Sequence, residues 1–326
     1  MKQLGSTRAD DNVAHLAWNG DLLAATPVTG DILVLDIATR DVGSRPGHGL
    51  GNGDSAWFGG QLATCGFDGR IRLAGREIHA GRGMIERVKA SPEGGFLAAG
   101  QAKSLLVFDR DGRPARGLGG LPCAVADFAW GPGNPDDSPR VALVGAGGAR
   151  MWRLGDAEPF ARFDWGGASL RAEWSPCGRW LATADQTPSV HIYDFTKNNP
   201  LHIQGFEAKV RAMAFSADGS RLATGGAPVV TVWPCTGPNG PDGATPLQLD
   251  GHDADVSAAA FSPANGKLAT GDATGVVLIF TFKGERVLRK RLRLDAGISS
   301  LAWHASRDWL GVGMDEGTAA VLSLES

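Results

Sequence analysis

The apolar positions of this 326-residue chain recur eight times at nearly constant spacing. Each repeat has an apolar first anchor in one short strand. A bulky apolar second anchor follows 11 or 12 residues later, and successive first anchors are 35 to 46 residues apart. A period near forty with several short strands per repeat predicts an all-β fold, a β-propeller. The first anchors are Leu23, Leu62, Leu97, Val141, Leu181, Leu222, Leu268 and Leu310, and the second are Leu35, Leu73, Phe108, Trp152, Tyr193, Trp233, Phe280 and Leu322.

The seventh repeat shows how one blade is built. Residues 256–261 predict an inner strand, residues 267–271 a second strand and residues 276–280 a third. Pro263 and Gly266 lie between the first two strands, where turn geometry favours these residue types. The inner strands are rich in alanine, which suits positions crowded near the axis of a propeller.

The two ends of the chain are predicted to share a blade. The eighth repeat, 298–324, ends after its third strand, and residues 2–6 have no partner in the first repeat. We predict that residues 2–6 supply the missing outer strand, because this removes an open sheet edge and closes the ring. The expected architecture is a single domain over residues 1–326 with eight four-stranded blades. The alternative is seven blades, with the short second repeat distorted.

Composition narrows the class of protein. Length alone suggests about two domains, but the repeats run from end to end. A net charge of −3 and a pI of 6.2 argue against a broad basic surface for nucleic acid. The first eight residues lack the apolar region of a signal peptide, and no run of 18 apolar residues occurs. We expect a cytoplasmic monomer without membrane contact, and we interpret the 24 arginines against 8 lysines as genome composition, from a bacterial source.

Three segments resemble the WD-repeat (Trp-Asp repeat) family of β-propellers: residues 174–183, 215–225 and 261–271. The resemblance extends over essentially the whole chain. In the family a Gly-His pair begins a repeat and Trp-Asp ends it. Gly47-His48 and Gly251-His252 match the first element, Asp68 matches the turn aspartate, and Leu35-Asp36, Phe108-Asp109 and Tyr193-Asp194 are similar to the second element.

The chain also departs from the family. No Trp is followed by Asp, and no repeat combines the His, Ser/Thr, Asp and Trp of the family's hydrogen-bond tetrad. His48, Thr64 and Asp68 come closest, with Leu73 at the Trp position. The resemblance implies a rigid platform that binds proteins or peptides, usually without catalysis.

Charged residues are expected at the mouth of the ring. Arg171 and Arg211 take equivalent positions in adjacent repeats, and two guanidiniums side by side suit a carboxylate or phosphate. Alternatively they pair with acidic neighbours, Glu173, Glu207 or Asp255, as solvated rim charges. The candidate partner-binding residues are Arg171, Arg211, Lys209, Glu86, Arg87, Asp127 and Asp255.

Two further surfaces have structural and functional interpretations. The basic segment 285–294 predicts a charged outer strand that resists edge-to-edge pairing; contact with an acidic partner or nucleic acid is the alternative. Loops 131–139 and 234–243 are interpreted as tolerated insertions, with a second contact surface as the alternative.

Catalytic and metal signatures are weak in this sequence. It has no Gly-x-Ser-x-Gly elbow and no phosphate loop. The four cysteines are 54 to 58 residues apart and predict free thiols, and His48, His79 and His252 belong to different repeats and predict turn hydrogen bonds. We predict a non-catalytic scaffold with no metal and no cofactor that binds a protein or peptide with acidic groups. The alternative is a metal-dependent enzyme in the central channel, using His15, Glu86, Asp127 and Glu173.

Overall fold

The computed structural model describes residues 2–133, 138–197, 200–284 and 286–325. Contacts divide the chain into two compact units, a terminal unit of residues 1–47 with 210–326 and a central unit of residues 48–209. Regular structure in the described residues is entirely β-sheet. Its strands are β1 (Lys2–Arg8), β2 (Val13–Asn19), β3 (Leu22–Pro27), β4 (Ile32–Asp36), β5 (Val42–Arg45), β6 (Asn52–Phe58), β7 (Gln61–Gly66), β8 (Arg70–Leu73), β9 (Arg76–Ala80), β10 (Ile85–Ala90), β11 (Leu97–Gln101), β12 (Ser104–Phe108), β13 (Asp127–Trp130), β14 (Arg140–Arg153), β15 (Ala161–Trp174), β16 (Trp180–Asp185), β17 (Val190–Asp194), β18 (Pro200–Ile203), β19 (Ala212–Phe215), β20 (Arg221–Gly225), β21 (Val230–Pro234), β22 (Leu247–Leu249), β23 (Val256–Phe261), β24 (Leu268–Asp272), β25 (Val276–Lys283), β26 (Arg286–Arg293), β27 (Ile298–Trp303), β28 (Trp309–Met314) and β29 (Thr318–Ser323).

The described strands form seven sheets, each antiparallel. The terminal unit holds sheet I (β1, β27–β29), sheet II (β2–β5), sheet VI (β19–β22) and sheet VII (β23–β26). The central unit holds sheet III (β6–β9), sheet IV (β10–β12) and sheet V (β13–β18). The predicted all-β propeller is confirmed, with seven blades instead of the expected eight.

Sheet V explains the difference in blade number. Its strand β15 has 14 residues and passes without a break from the end of the predicted fourth repeat into the start of the fifth. The first part of β15 pairs with β14 and its second part with β16, so the fourth and fifth repeats share one six-stranded sheet. The expectation of eight separate blades is therefore wrong, and the alternative of seven matches. The second repeat is regular and four-stranded, so the reason given for that alternative was wrong.

The predicted pairing of the N-terminal segment with the last blade is confirmed. β1 pairs antiparallel with β29 from Lys2 opposite Ser323 to Arg8 opposite Thr318. Leu4 packs against the buried cluster that contains Leu35 and Val321. Sheet I is thus built from both ends of the chain, and β1 covers the edge that β29 would otherwise present.

Apolar clusters lie between neighbouring sheets. Val232 and Leu249 of sheet VI pack against Phe261 and Leu278 of sheet VII, and all four are buried. Similar clusters join sheet VII to sheet I and sheet III to sheet IV. Within sheet V the residues before and after the middle of β15 also pack on each other, so this sheet is folded across that strand. The strands therefore bury their side chains against the next sheet.

Tryptophans at the ends of inner strands link neighbouring sheets by hydrogen bonds. Within the terminal unit, the Trp18 indole N–H donates to the carbonyl of Ala302, and the Trp303 indole N–H donates to the carbonyl of Ala260, both at 3.0 Å. In the central unit Trp130 donates to the carbonyl of Lys89 at the same distance. These contacts satisfy both a buried indole and a strand carbonyl.

None of the four cysteines, all of which lie in the described residues, forms a disulfide, as predicted. Among the described residues, no helix has the length and apolar character needed for a membrane span.

Deleting residues 2–6 should destabilise sheet I, because β29 becomes an unpaired edge and the Leu4 contact is lost. We expect a melting temperature several degrees lower and aggregation that increases with protein concentration. Thermal unfolding followed by circular dichroism, together with light scattering, measures both effects.

The matched control is the triple variant Lys2→Ala/Gln3→Ala/Ser6→Ala, which alters three exposed side chains of β1 and keeps its backbone pairing. If the control and the deletion melt alike, pairing of β1 is not the stabilising feature.

Candidate functional site

Charged residues of the central unit converge from three strands. Glu86 and Arg87 lie in β10, Asp127 begins β13, and Arg171 and Glu173 lie in β15. The register of β10 shifts between Ile85 and Val88, and that of β15 shifts between Ser169 and Arg171. Such bulges redirect side chains near strand ends, and here they occur where the two arginines stand.

Asp127 forms hydrogen bonds that connect three strands. It is buried, and its Oδ1 accepts a hydrogen bond from Lys89 Nζ at 2.7 Å while its Oδ2 accepts one from the Ala172 amide at 3.1 Å. Lys89 also donates to the carbonyl of Phe128 at 2.5 Å. The carboxylate thereby ties β10, β13 and β15 together. The sequence predicts a partner-binding role for Asp127, whereas no local pattern points to Lys89, which lies 38 residues away.

Arg171 differs from Asp127 because its charged group is exposed and is not neutralised by an ion pair with a described residue. Its side chain is open to solvent, and it has no hydrogen bond or ion pair with any residue in the described part of the chain. Desolvation by the surrounding protein and the like charge of Arg87 lower the pKa of Arg171, while Asp127 and Glu173 act in the opposite direction. An anion placed beside this guanidinium would relieve both unfavourable effects.

The other predicted site residues are found in turns and at strand ends. Glu86 is exposed, and Arg87 is half-buried with its Nη1 donating to the carbonyl of Glu86 at 3.0 Å. Lys209 is exposed at the end of the central unit. In the terminal unit, Arg211 and Asp255 are exposed immediately before β19 and β23. The pairing of Arg171 with Arg211 stays a prediction.

The basic outer strand is neutralised by nearby aspartates. In the terminal unit Arg289 contacts Asp250 at 3.0 Å, and Arg291 and Arg293 contact Asp253 at 2.6 and 2.8 Å. This arrangement supports the structural interpretation of β26. Residue 285 of the predicted strand and residues 134–137 of the first long loop lie outside the described residues.

The expected histidine network is present in sheet III. His48 Nδ1 is 2.8 Å from Asp68 Oδ1, and His48 Nε2 is 3.1 Å from Thr64 Oγ1. Burial lowers the pKa of His48, and the hydrogen bond with Asp68 partly opposes this. His48 therefore serves the fold of its blade, as the prediction of turn hydrogen bonds requires.

Sheet VII contains a second network of the same kind, which the sequence pattern did not indicate. His252 Nδ1 is 3.0 Å from Asp272 Oδ2, and His252 Nε2 is 2.7 Å from Thr270 Oγ1. Burial acts to raise the pKa of Asp272, but hydrogen bonds from Thr274, Val276 and His252 outweigh it and lower the pKa to about 2. Asp272 was missed because it follows the threonine by two residues, whereas Asp68 follows Thr64 by four.

Replacing Asp127 with Ala should destabilise the chain by about 1–3 kcal/mol, because Lys89 and the Ala172 amide lose their acceptor. The estimate is below that for a fully buried pair because Lys89 is 31% exposed. Urea unfolding gives the free energy. A double-mutant cycle with Lys89→Met should show coupling between the two sites.

Glu86→Ala is the matched control from the same cluster, and it should change the free energy of unfolding by no more than about 0.5 kcal/mol. Equal effects of the two substitutions would contradict a structural role for Asp127.

Acidification should weaken the fold through His252, whose pKa is lowered by burial despite the opposing influence of Asp272. The native state favours the neutral ring, so this contribution is complete above the unfolded pKa of about 6.5 and is lost as pH falls through the folded value. We expect the urea midpoint of wild type to drop more between pH 7.5 and 5.5 than that of His252→Gln. Parallel pH profiles would argue against this role.

Comparisons with known proteins agree with the fold. The family described as "WD domain, G-beta repeat" matches residues 198–233 and 244–281. A computationally designed protein, Ika8, superposes with a TM-score of 0.81 at 17% identity, covering 99% of this chain and 100% of its own. The Dos1 propeller superposes with a TM-score of 0.81 at 15% identity, covering 100% and 95%. No curated protein matches the sequence.

The family match covers the region from β18 to β25, and its second part includes the His252, Thr270 and Asp272 network. In sheet VI the Trp233 indole donates to Thr224 at 3.1 Å, which is the tryptophan side of the tetrad. The two matched repeats, the propeller fold and these hydrogen bonds support the predicted resemblance to WD-repeat β-propellers.

Proposed function

We propose that the chain is a non-catalytic interaction scaffold that binds a protein or peptide segment carrying acidic groups. Propellers of the WD-repeat type are commonly protein-interaction scaffolds. A platform of packed sheets suits this role because little of it must be ordered on binding. The cytoplasmic location, the monomeric state and the single-domain organisation belong to the same proposal.

The observation that carries the proposal is the environment of Arg171. An exposed guanidinium without a partner in the described residues, crowded by protein and close to Arg87, favours an incoming anion. A carboxylate can accept two parallel hydrogen bonds from such a fork. Arg171 would therefore bind the acidic group of the partner, and the nearby charge of Arg87 would make the local potential more positive.

Two exposed apolar residues lie close in sequence to Arg171 and Arg87. Leu170 directly precedes Arg171 and is 43% exposed, and Met84 precedes β10 and is 57% exposed. Exposed apolar residues beside a charge are typical of binding surfaces. A partner segment that places an apolar side chain next to a carboxylate would complement both features.

The alternative, a metal-dependent enzyme, requires Asp127 as a metal ligand, and this carboxylate already has hydrogen-bond partners. Both oxygens of Asp127 accept hydrogen bonds, one from Lys89 and one from Ala172, and a metal would have to displace them. The scaffold is therefore the function that the arrangement of the central unit favours.

The test is affinity capture from a lysate of the native host, followed by mass spectrometry and direct titration of each captured protein. Arg171→Glu should weaken binding of the partner at least about tenfold, or about 1.4 kcal/mol, because an attractive charge becomes repulsive. Affinity should also fall with rising salt. Arg211→Glu, tested separately, shows whether this residue shares the surface.

The matched control is Arg289→Glu, which alters an arginine already paired with Asp250 on an outer strand. A partner that binds wild type and Arg171→Glu equally would overturn the proposed surface. Loss of binding in all variants alike would point to misfolding, which circular dichroism would reveal.

A further inference from the structure

Two histidines of the central unit face each other across neighbouring strands. His191 of β17 and His202 of β18 are register partners. Their rings stack with centroids 4.1 Å apart and planes 8° from parallel. Side chains of register partners project from the same face of a sheet, so both imidazoles lie on one side of sheet V.

A buried carboxylate lies beside this pair. Asp185 ends β16, its side chain has no exposed surface, and its Oδ2 is 2.8 Å from His191 Nδ1. Oδ2 also accepts a hydrogen bond from Ser189 at 2.9 Å, and Oδ1 accepts bonds from Ser169 at 2.9 Å and Thr183 at 3.2 Å. Three hydroxyls thus hold the carboxylate in place without occupying the imidazoles.

An indole closes one side of the cluster. The Trp165 ring lies 4.8 Å from the His191 ring, and its N–H donates to Ser169 at 3.2 Å. A side chain at residue 167 would overlap the indole, so Gly167 permits this position. His202 is exposed and leaves the opposite side open to solvent, where it contacts the Gln204 amide at 3.2 Å. The cluster has a preorganised inner wall and an entry path.

We propose that Asp185, His191 and His202 bind a divalent transition-metal ion of the Zn²⁺ class. One ligand atom from each residue lies within 4.8 Å of the others. Two imidazoles with one carboxylate form a set typical of such ions, which leaves a coordination position for water. Ligand atoms that each lie about 2.0–2.1 Å from one ion are less than 4.8 Å apart. The exposed His202 ring therefore has to move towards Asp185 and His191 when the ion binds.

Metal binding changes which nitrogen of His191 carries the proton. The ion takes the place of the proton between His191 Nδ1 and Asp185 Oδ2, and the neutral ring then carries its proton on Nε2. Ser169, Thr183 and Ser189 keep the carboxylate oriented and are positioning residues. This inference is independent of the proposed function, since it uses none of the residues of the Arg171 surface.

The experiment titrates Zn²⁺ alone into the EDTA-treated full chain, in competition with a chromogenic zinc indicator. We expect one ion per chain. His202→Ala should weaken binding by more than the roughly 10–100-fold that loss of an outer-shell partner costs, because it removes a ligand. Ser189→Ala should weaken it about tenfold through the carboxylate.

A local signature distinguishes this site from adventitious zinc. Cu²⁺ should quench part of the tryptophan fluorescence of wild type, and Trp165→Phe should remove that part. His79→Ala, which removes a histidine of sheet III, and Gln204→Ala, which removes a neighbour that cannot serve as a strong ligand, are the controls.

His202 is exposed, so His202→Ala should retain the melting temperature of the metal-free wild type and separates loss of a ligand from loss of fold. Zinc affinity that is unchanged in His202→Ala, or that falls equally in His79→Ala, would overturn the proposal. Absence of stoichiometric zinc in wild type would do the same.

Discussion

The burial of one sheet face against the next is the constraint on which the rest of this structure depends. A sheet of three or four strands has two faces, and neither can be left to water if both carry apolar residues. Alanine in the inner strands, larger residues in the middle strands and tryptophans that donate to the neighbouring strand carbonyl all serve this packing. The charged residues are placed by strands that packing has already positioned.

Some charged side chains of this fold are paired with an opposite charge, and others are not. Asp127 and Lys89 neutralise each other and connect three strands, whereas Arg171, in one of these strands, keeps its charge in solvent. The arginines of β26 are matched by Asp250 and Asp253. A formal count of charges cannot make these distinctions, because the outcome depends on whether a partner lies within about 3 Å. Paired charges contribute to the fold, and an unpaired one is available for recognition.

Much of the fold could be predicted from periodicity. The strand repeats, the pairing of the N-terminal segment with β29 and the contacts of His48 with Thr64 and Asp68 follow from local patterns or from an edge that needs a partner. The blade number could not be predicted, because β15 runs without a break through the point where the fourth and fifth repeats meet. Apolar patterns mark strands, but they do not show whether hydrogen bonding stops between them.

The sequence by itself determined that this chain forms short β-strands in repeats, because apolar spacing and turn residues act locally. Only the tertiary structure decided which polar groups meet. Lys89 is 38 residues from Asp127, and His191 is 11 residues from His202, so neither pair forms a sequence motif. Strand register and the stacking of sheets bring them together. Contacts of this kind depend on the placement of whole strands, and that placement is a property of the folded chain.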